Sequence, residues 1–319
     1  MPYKSRGNTA ARTRKDKRAR KTDAFSVVSI VAAAVVLLYI GSAIFVIAFN
    51  GLGHFHEAVT SPEVLFSLNM SVTTATISTI ICMLLALPTA YALTHTRMPF
   101  KHAAEILMEL TLSLPYILLG FALLLIFSSP TGKALKEAGF AVVFSPAGIV
   151  FAQLIVNIPF AIRMIRTAFL DVNPRMEFVA ETLGASKAKV FRTVILPTCR
   201  NAIISTFVLT WARGMGEFGA TLMLVGVTRM KTETLSGSIY LSISTGNTDT
   251  AMATALIMLM LSAATLVIAN LLNKPVGTPR IDHGGSRRGH HLPRIRNRKA
   301  TVAESGEGIL SGEGEHHAR

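Results

Sequence analysis

The sequence predicts an all-α membrane protein with six transmembrane helices and both termini in the cytoplasm. Half of its 319 residues are hydrophobic, and its mean hydropathy is +0.47. The apolar residues lie in long blocks, and most of the positive charge lies between or outside the blocks. Because open loops cannot cross a bilayer with unpaired backbone groups, such blocks indicate a bundle of helices.

Six segments are long enough to span a bilayer, which takes about 20 apolar residues in a helix. Five contain no Asp, Glu, Lys or Arg, namely residues 24–53, 64–96, 110–132, 138–162 and 250–273. The sixth, 196–226, carries Arg200 near its start and Arg213 and Glu217 inside. The first segment is too long for the core of a signal peptide and lacks an A-x-A site after it, so we expect a retained helix.

The net charge of +14 is concentrated in the predicted tails. Residues 1–23 hold nine Lys or Arg against two Asp, and residues 274–319 hold nine against five acids. The positive-inside rule therefore places both termini in the cytoplasm. Such tails contact anionic lipid more often than nucleic acid when they flank a span, so we expect no nucleic-acid partner. We predict a basic N-terminal tail (1–23), a transmembrane domain (24–273) and a disordered C-terminal tail (274–319).

The longest predicted cytoplasmic connection, residues 169–195, carries its own helical signals. Asn173 can cap a helix that starts at Pro174. Gly184 ends that helix, because glycine readily takes the left-handed backbone of a helix end, and Ser186 can cap a second one. Two short helices around a glycine break form a knob that fits a cleft on a soluble partner. An amphipathic helix lying on the lipid surface explains the same pattern equally well.

The connection resembles the cytoplasmic loop of ABC importer permeases. That family's pattern is E-A-A, three residues, G, nine residues, then I-x-L-P. Ala180, Gly184, Leu196 and Pro197 match it at the required spacing, and Val194 stands at the isoleucine position. The resemblance covers roughly residues 64–270. It implies an importer-type ABC permease bundle whose loop, the coupling helix, seats in a groove of a separate ATPase subunit.

The chain departs from that pattern at the leading Glu-Ala, where Phe178 and Val179 stand. The resemblance assigns ATPase coupling to Pro174, Glu177, Ala180, Glu181, Gly184, Ala185, Ser186, Leu196 and Pro197. No G-x-x-x-x-G-K-[ST] phosphate loop occurs in the sequence. We therefore expect ATP and Mg on the partner ATPase, no cofactor in this chain, and no enzymatic activity of its own.

The fifth apolar segment contains two opposite charges. On one helix, Arg213 and Glu217 would lie four residues apart and share a face. An ionised residue at mid-bilayer costs about 2.5–3.5 kcal/mol on the insertion scale. We therefore expect both to face the bundle interior and to pair with each other or with another helix. Packing and charge pairing explain them without substrate contact, and direct substrate contact is the alternative.

The stretch from Arg213 to Thr221, R-x-x-G-E-F-G-A-T, resembles the fifth helix of molybdate and tungstate importer permeases. Sulfate permeases are close relatives with a different sequence here, and sulfate or thiosulfate is the alternative substrate. The resemblance implies a homodimer with two ATPase subunits and an extracytoplasmic binding protein that delivers a tetrahedral oxyanion. It assigns to the translocation pathway Arg213, Gly216, Glu217, Phe218, Gly219 and Thr221.

Two other functions remain as rivals. An ATP-independent carrier would use an acidic or histidine relay inside the membrane, whereas Glu217 is the only acid deep in a predicted span. A membrane-embedded enzyme would need clustered catalytic groups, and the sequence has neither H-E-x-x-H nor G-x-S-x-G. Cys82 and Cys199 lack the spacing of a disulfide framework or metal site, so no metal is expected.

Overall fold

The computed structural model describes residues 24–272, and these residues form helices joined by loops, with no β-strand among them. The predicted N-terminal tail (1–23) and C-terminal tail (274–319) lie outside the described residues.

Helices run through almost the whole described range. In chain order they are α1 Ala24–Gly53, α2 Phe55–Thr60, α3 Pro62–His95, α4 Lys101–Ser113, α5 Tyr116–Ser128, α6 Pro130–Glu137, α7 Pro146–Leu170, α8 Pro174–Thr182, α9 Lys187–Val190, α10 Leu196–Thr198, α11 Arg200–Gly216, α12 Gly219–Leu224, α13 Leu235–Ser244 and α14 Thr248–Leu272. A π-helical turn, Phe191–Ile195, joins α9 to α10.

Between four and six spans can be counted in the described residues. Helices α1, α3, α7 and α14 are each long and apolar enough to cross a membrane. Two bent arrangements, α4 with α5 and the run from α9 to α10 with α11, raise the number to six if each is one broken span. The all-helical membrane fold is thereby confirmed, while the side of the membrane on which the termini lie stays a prediction.

The third predicted segment, 110–132, is not one helix. Helices α4 and α5 turn by 111° at a break between Ser113 and Tyr116. Proline lacks an N–H and disfavours helical backbone at the residue before it. Accordingly, Leu114, the residue before Pro115, is extended with φ −75° and ψ 142°.

The fourth predicted segment, 138–162, is displaced along the chain. Its helix, α7, begins at Pro146, after Ser145, whose side-chain oxygen accepts a hydrogen bond from the Gly148 N–H at 3.4 Å. Proline in the first turn leaves no helical bond unmade, which favours a start at this point. The helix then continues to Leu170.

The fifth predicted segment, 196–226, is broken as well. Helix α11 ends at Gly216, the backbone of Glu217 is extended with ψ 127°, and α12 begins at Gly219. The expectation that Arg213 and Glu217 share one helix face is therefore wrong.

Buried polar side chains tie the centre of the bundle together. The Ser78 hydroxyl on α3 donates to Gln153 Oε1 on α7 at 2.7 Å, and Gln153 Nε2 donates to the Gly214 carbonyl on α11 at 3.0 Å. Hydrogen bonds between membrane helices contribute about 0.6–2 kcal/mol each. They hold α3, α7 and α11 in register and thereby fix the position of the broken fifth segment.

Candidate functional site

The predicted coupling loop folds as a short helix, a glycine break and a second helical run. Helix α8 begins at Pro174, and the Asn173 side-chain oxygen accepts a hydrogen bond from the Arg175 N–H at 3.0 Å. Ser186 precedes α9, but its side chain makes no capping hydrogen bond. The expected side-chain cap at Ser186 is therefore absent, although the helix starts where the sequence places it.

Gly184 ends α8 in a left-handed conformation, with φ +84°. The Gly184 N–H donates to the Glu181 carbonyl at 2.9 Å, and the Ala185 N–H donates to the Ala180 carbonyl at 3.1 Å. These two bonds form a Schellman motif, which satisfies the last carbonyls of a helix. Leaving out Gly184 and its two chain neighbours, no atom of the described residues lies within 4 Å of the point where a Cβ would stand, so the backbone conformation alone requires glycine here.

Leu196 and Pro197 do not open the fifth span. They lie in the last turn of the helical run from Lys187 to Thr198, and the chain bends by 71° before α11 begins at Arg200. Proline cannot donate the backbone hydrogen bond of a regular helix, and the chain widens into a π turn just before it. The prediction that Leu196-Pro197 starts the span is corrected on this point.

The inner side of α8 is attached to the end of α3. His95 Nε2 lies 3.2 Å from Glu177 Oε1, with about a fifth of each side chain exposed. Ala180 and Ala185 face the same way and pack against the buried cluster that joins α3 to α7. The loop is therefore seated on the bundle through Glu177 and two small side chains.

The His95 ring belongs to a cluster of four aromatic rings. His95 stacks on Tyr91 with ring centroids 4.9 Å apart, and Phe191 of the π turn meets Tyr91 edge-on at 4.9 Å. Phe169, at the end of α7, lies 6.0 Å from Phe191 and 6.2 Å from His95. Such pairs add about 0.5–1.5 kcal/mol each beyond their buried area. The cluster thus connects the loop to the ends of α3 and α7.

The outer side of the loop is apolar and exposed. The exposed fraction is 67% for Phe178, 55% for Val179 and 83% for Leu183. We call these three residues the outer face of the loop. Phe178 and Val179 occupy the positions where the resemblance leads one to expect Glu-Ala. The acid next to them, Glu177, points inward to His95 instead.

We expect Glu177→Ala to loosen α8 without unfolding the bundle. A hydrogen bond of this kind contributes about 0.5–1.5 kcal/mol, so amide hydrogen exchange in residues 174–182 should accelerate about two- to tenfold. Glu181→Ala is the matched control, because Glu181 lies on the same helix and is exposed. Equal exchange rates in the two variants would show that the contact with His95 does not hold the loop.

The two broken segments meet at their breaks. A Cβ at Gly219 would lie 3.3 Å from the Ile117 nitrogen, and a Cβ at Gly120 would lie 2.4 Å from the Ala220 carbonyl oxygen. The backbones of α5 and α12 can approach this closely only because residue 120 has no side chain. Irregular backbone inside a membrane is tolerated where protein buries it or where it lines a water-filled cavity. The junction of α5, α11 and α12 is therefore the candidate pathway site.

Glu217 caps the short helix beyond the break. Its Oε1 accepts from the Ala220 N–H at 2.8 Å, and its Oε2 accepts from the Thr221 N–H at 3.1 Å and from the Thr221 hydroxyl. Only 5% of Glu217 is exposed. Phe218, between the two helices, packs against Tyr240 at 5.2 Å. The carboxylate thus has its hydrogen-bond partners within its own segment.

Arg213 reaches other helices instead. Its Nη2 donates to the Tyr116 hydroxyl at 2.7 Å, and its Nε donates to Asn157 Oδ1 at 3.3 Å. Its Cζ lies 4.5 Å from the centre of the Phe160 ring. Within residues 24–272 no carboxylate lies within 4 Å of it. The sequence left two pairings open for Arg213. The one with Glu217 is not formed, and Arg213 instead bonds to neutral groups on other helices.

The residues that contact Glu177 and Arg213 could not be recognised in the sequence, with one exception. His95, Tyr116 and Phe160 carry no local signal that points to Glu177 or Arg213. Asn157 carries one, because it stands four residues after Gln153 in an otherwise apolar segment, so the two amides share a helix face. Among the described residues, no group of three or more His, Cys, Asp or Glu side chains could hold a metal ion.

Comparison with known proteins identifies the family. The family described as "binding-protein-dependent transport system inner membrane component" matches residues 83–277. The chain belongs to this family. It is a permease subunit of an ABC importer and a multi-pass protein of the cytoplasmic membrane.

Individual members resemble the permease over most of their length. It is 36% identical to the molybdenum transport system permease protein ModB of Mycobacterium bovis over 227 residues, 70% of this chain and 85% of that protein. It is 30% identical to the sulfate transport system permease protein CysT of Salmonella typhimurium, over 71% of this chain and 83% of that protein.

Solved structures agree on the fold. A chain of a bacterial alginate ABC transporter superposes with a TM-score of 0.65 at 14% identity, covering 78% of this chain and 94% of that one. At this identity the likeness extends to the helical architecture alone.

Proposed function

We propose that this permease imports a tetrahedral oxyanion, molybdate or tungstate, by alternating access. The observation that carries the proposal is the 36% identity to a molybdenum permease along 85% of its length. The R-x-x-G-E-F-G-A-T stretch at the helix break adds to it. Molybdate and tungstate have nearly the same size, charge and geometry, so the two are proposed together.

The energy for transport comes from separate ATPase subunits, which dock on the loop. The outer face of Phe178, Val179 and Leu183 is the surface for this contact, because three exposed apolar side chains on a polar knob favour burial against a partner. Lys187 and Lys189 follow this face along the chain, on α9, and favour acidic groups on the partner. The inner face, through Glu177 and the aromatic cluster, passes the movement to α3 and α7.

The assembly we propose is a homodimer of the permease with two ATPase subunits and an extracytoplasmic binding protein. Both termini and the coupling loop lie in the cytoplasm, as the distribution of basic residues favours. The pathway passes the helix break, with Arg213, Gly216, Glu217, Phe218, Gly219 and Thr221 around it.

Sulfate is the second candidate substrate, because a sulfate permease is 30% identical over 83% of its length. Calorimetry of the cognate binding protein with molybdate, tungstate and sulfate separates the candidates. The proposal expects tight binding of molybdate and tungstate and weaker binding of sulfate by about a hundredfold or more. Tight binding of sulfate, without tight binding of molybdate or tungstate, would show that this transporter imports sulfate.

A further inference from the structure

We infer that Arg213 is the fixed positive charge that receives the oxyanion inside the permease. The inference rests on the proposed function and deepens it, because it assigns a transient anion site to one side chain and its neighbours. The site consists of the Arg213 guanidinium, the Tyr116 hydroxyl and the Asn157 amide, at the junction of the two broken segments.

Arg213 lacks a counter-ion among the described residues. Glu217 is the only acid deep in the fifth segment, and its carboxylate is occupied by two backbone N–H groups and a hydroxyl at the start of α12. In the part of the chain that the structure describes, Arg213 forms no ion pair. A charged side chain within a membrane bundle usually faces a partner of opposite charge or a water-filled path. Among the described residues, Arg213 has the charge without a protein partner of opposite charge.

Unused hydrogen-bond donors surround the guanidinium. The neutral groups that Arg213 contacts, the Tyr116 hydroxyl and Asn157 Oδ1, position the guanidinium but leave its charge intact. The side chain stays partly exposed, and its other N–H groups donate to no acceptor among the described residues. Asn157 Nδ2, in a residue only 1% exposed, also has no hydrogen-bond partner within that range. Unused donors and an uncompensated charge favour an anion.

Aromatic rings stabilise the cation in place of a carboxylate. The Phe160 ring lies 4.5 Å from the guanidinium carbon and the Tyr116 ring lies 5.9 Å from it. Aromatic faces stabilise a cation without supplying a negative charge, so the site can be empty in one state and occupied in the next. A planar guanidinium can donate two parallel hydrogen bonds to two oxygens of a tetrahedral oxyanion. A pathway site must also release its ion, and one guanidinium with neutral neighbours is suited to weak binding.

The test uses the complete transporter in proteoliposomes, with ATP inside and oxyanion-loaded binding protein outside. Arg213→Gln should lower the maximal rate of tungstate uptake about tenfold or more, because it removes a charge-assisted, two-point contact. The concentration of loaded binding protein giving half-maximal uptake should be unchanged, and ATP hydrolysis stimulated by that protein should stay within about twofold of wild type. Arg213→Lys, which keeps the charge, should recover a large part of the uptake.

Arg97→Gln is the matched control, since Arg97 is an exposed residue of the loop between α3 and α4 and its loss removes the same charge. Wild-type uptake by Arg213→Gln would overturn the inference. Parallel loss of assembly, ATP hydrolysis and uptake in both the Gln and Lys variants would also overturn it, because it would assign Arg213 a packing role. If the wild-type complex transported neither molybdate, tungstate nor sulfate, the proposed function itself would be wrong. That outcome is distinct from a failure of the Arg213 site alone.

Discussion

Replacing Phe178 and Leu183 together with aspartate should prevent the permease from assembling with its ATPase. The two side chains are 67% and 83% exposed, so the change costs the free permease little. Burying one such side chain contributes about 1.5–3 kcal/mol. Losing two, and adding two carboxylates to an apolar contact, should weaken the complex by about a hundredfold or more. Co-purification and titration of the purified subunits measure this directly.

The matched control for that variant is Phe100→Asp. Phe100 is 85% exposed in the loop between α3 and α4, on the side of the membrane predicted to be cytoplasmic. The control should assemble normally, and all three proteins should unfold at similar temperatures in detergent. If the double variant still bound the ATPase with wild-type affinity, the outer face of the loop would not be part of the interface.

Gly184→Val should uncouple ATP hydrolysis from transport. A side chain at φ +84° costs about 1–2 kcal/mol, and more for a β-branched residue, so α8 would lose its Schellman ending. The relation between α8 and α9 would then change at the hinge. We expect uptake stimulated by the binding protein to fall about tenfold or more, with the spans intact.

Gly139→Val provides a control with the same strain in another place. Gly139 has φ +94° and, like Gly184, has open space within 4 Å of the point where a Cβ would stand, but it lies in the loop between α6 and α7. Both variants carry a similar cost in backbone strain, so a difference in uptake between them reflects where in the chain the strain lies. Equal losses in the two would mean that general destabilisation, and no role of the hinge, explains the result.

The sequence predicted the features that depend on local chemistry. Long apolar segments, the cap at Asn173 and the left-handed end at Gly184 all follow from a few neighbouring residues, and the structure shows each of them. The break in the fifth segment was missed, because a glutamate after glycine can continue a helix or cap the next one. In the third segment Pro115 indicated a kink, but the local sequence does not give the size of the turn, which is 111°.

Contacts between distant residues were beyond sequence reasoning. Glu177 and His95 are separated by 82 positions, and Arg213 and Tyr116 by 97. Without the fold, the sequence left open whether Arg213 pairs with Glu217 or with a group on another helix. Tertiary packing decided between the two, because the break at Glu217 turned its carboxylate onto the N-terminus of α12.

We expect residues 174–192 to transmit work from a separate ATPase to the transmembrane bundle. The most direct measurement counts ATP hydrolysed and oxyanion accumulated in the same liposomes. It compares the complete transporter with one in which residues 174–192 are replaced by a flexible Gly-Ser linker of equal length. We predict uphill accumulation by the first and none by the second. Normal uphill accumulation with the linker, or by this chain without any ATPase, would show that the loop does not carry this work.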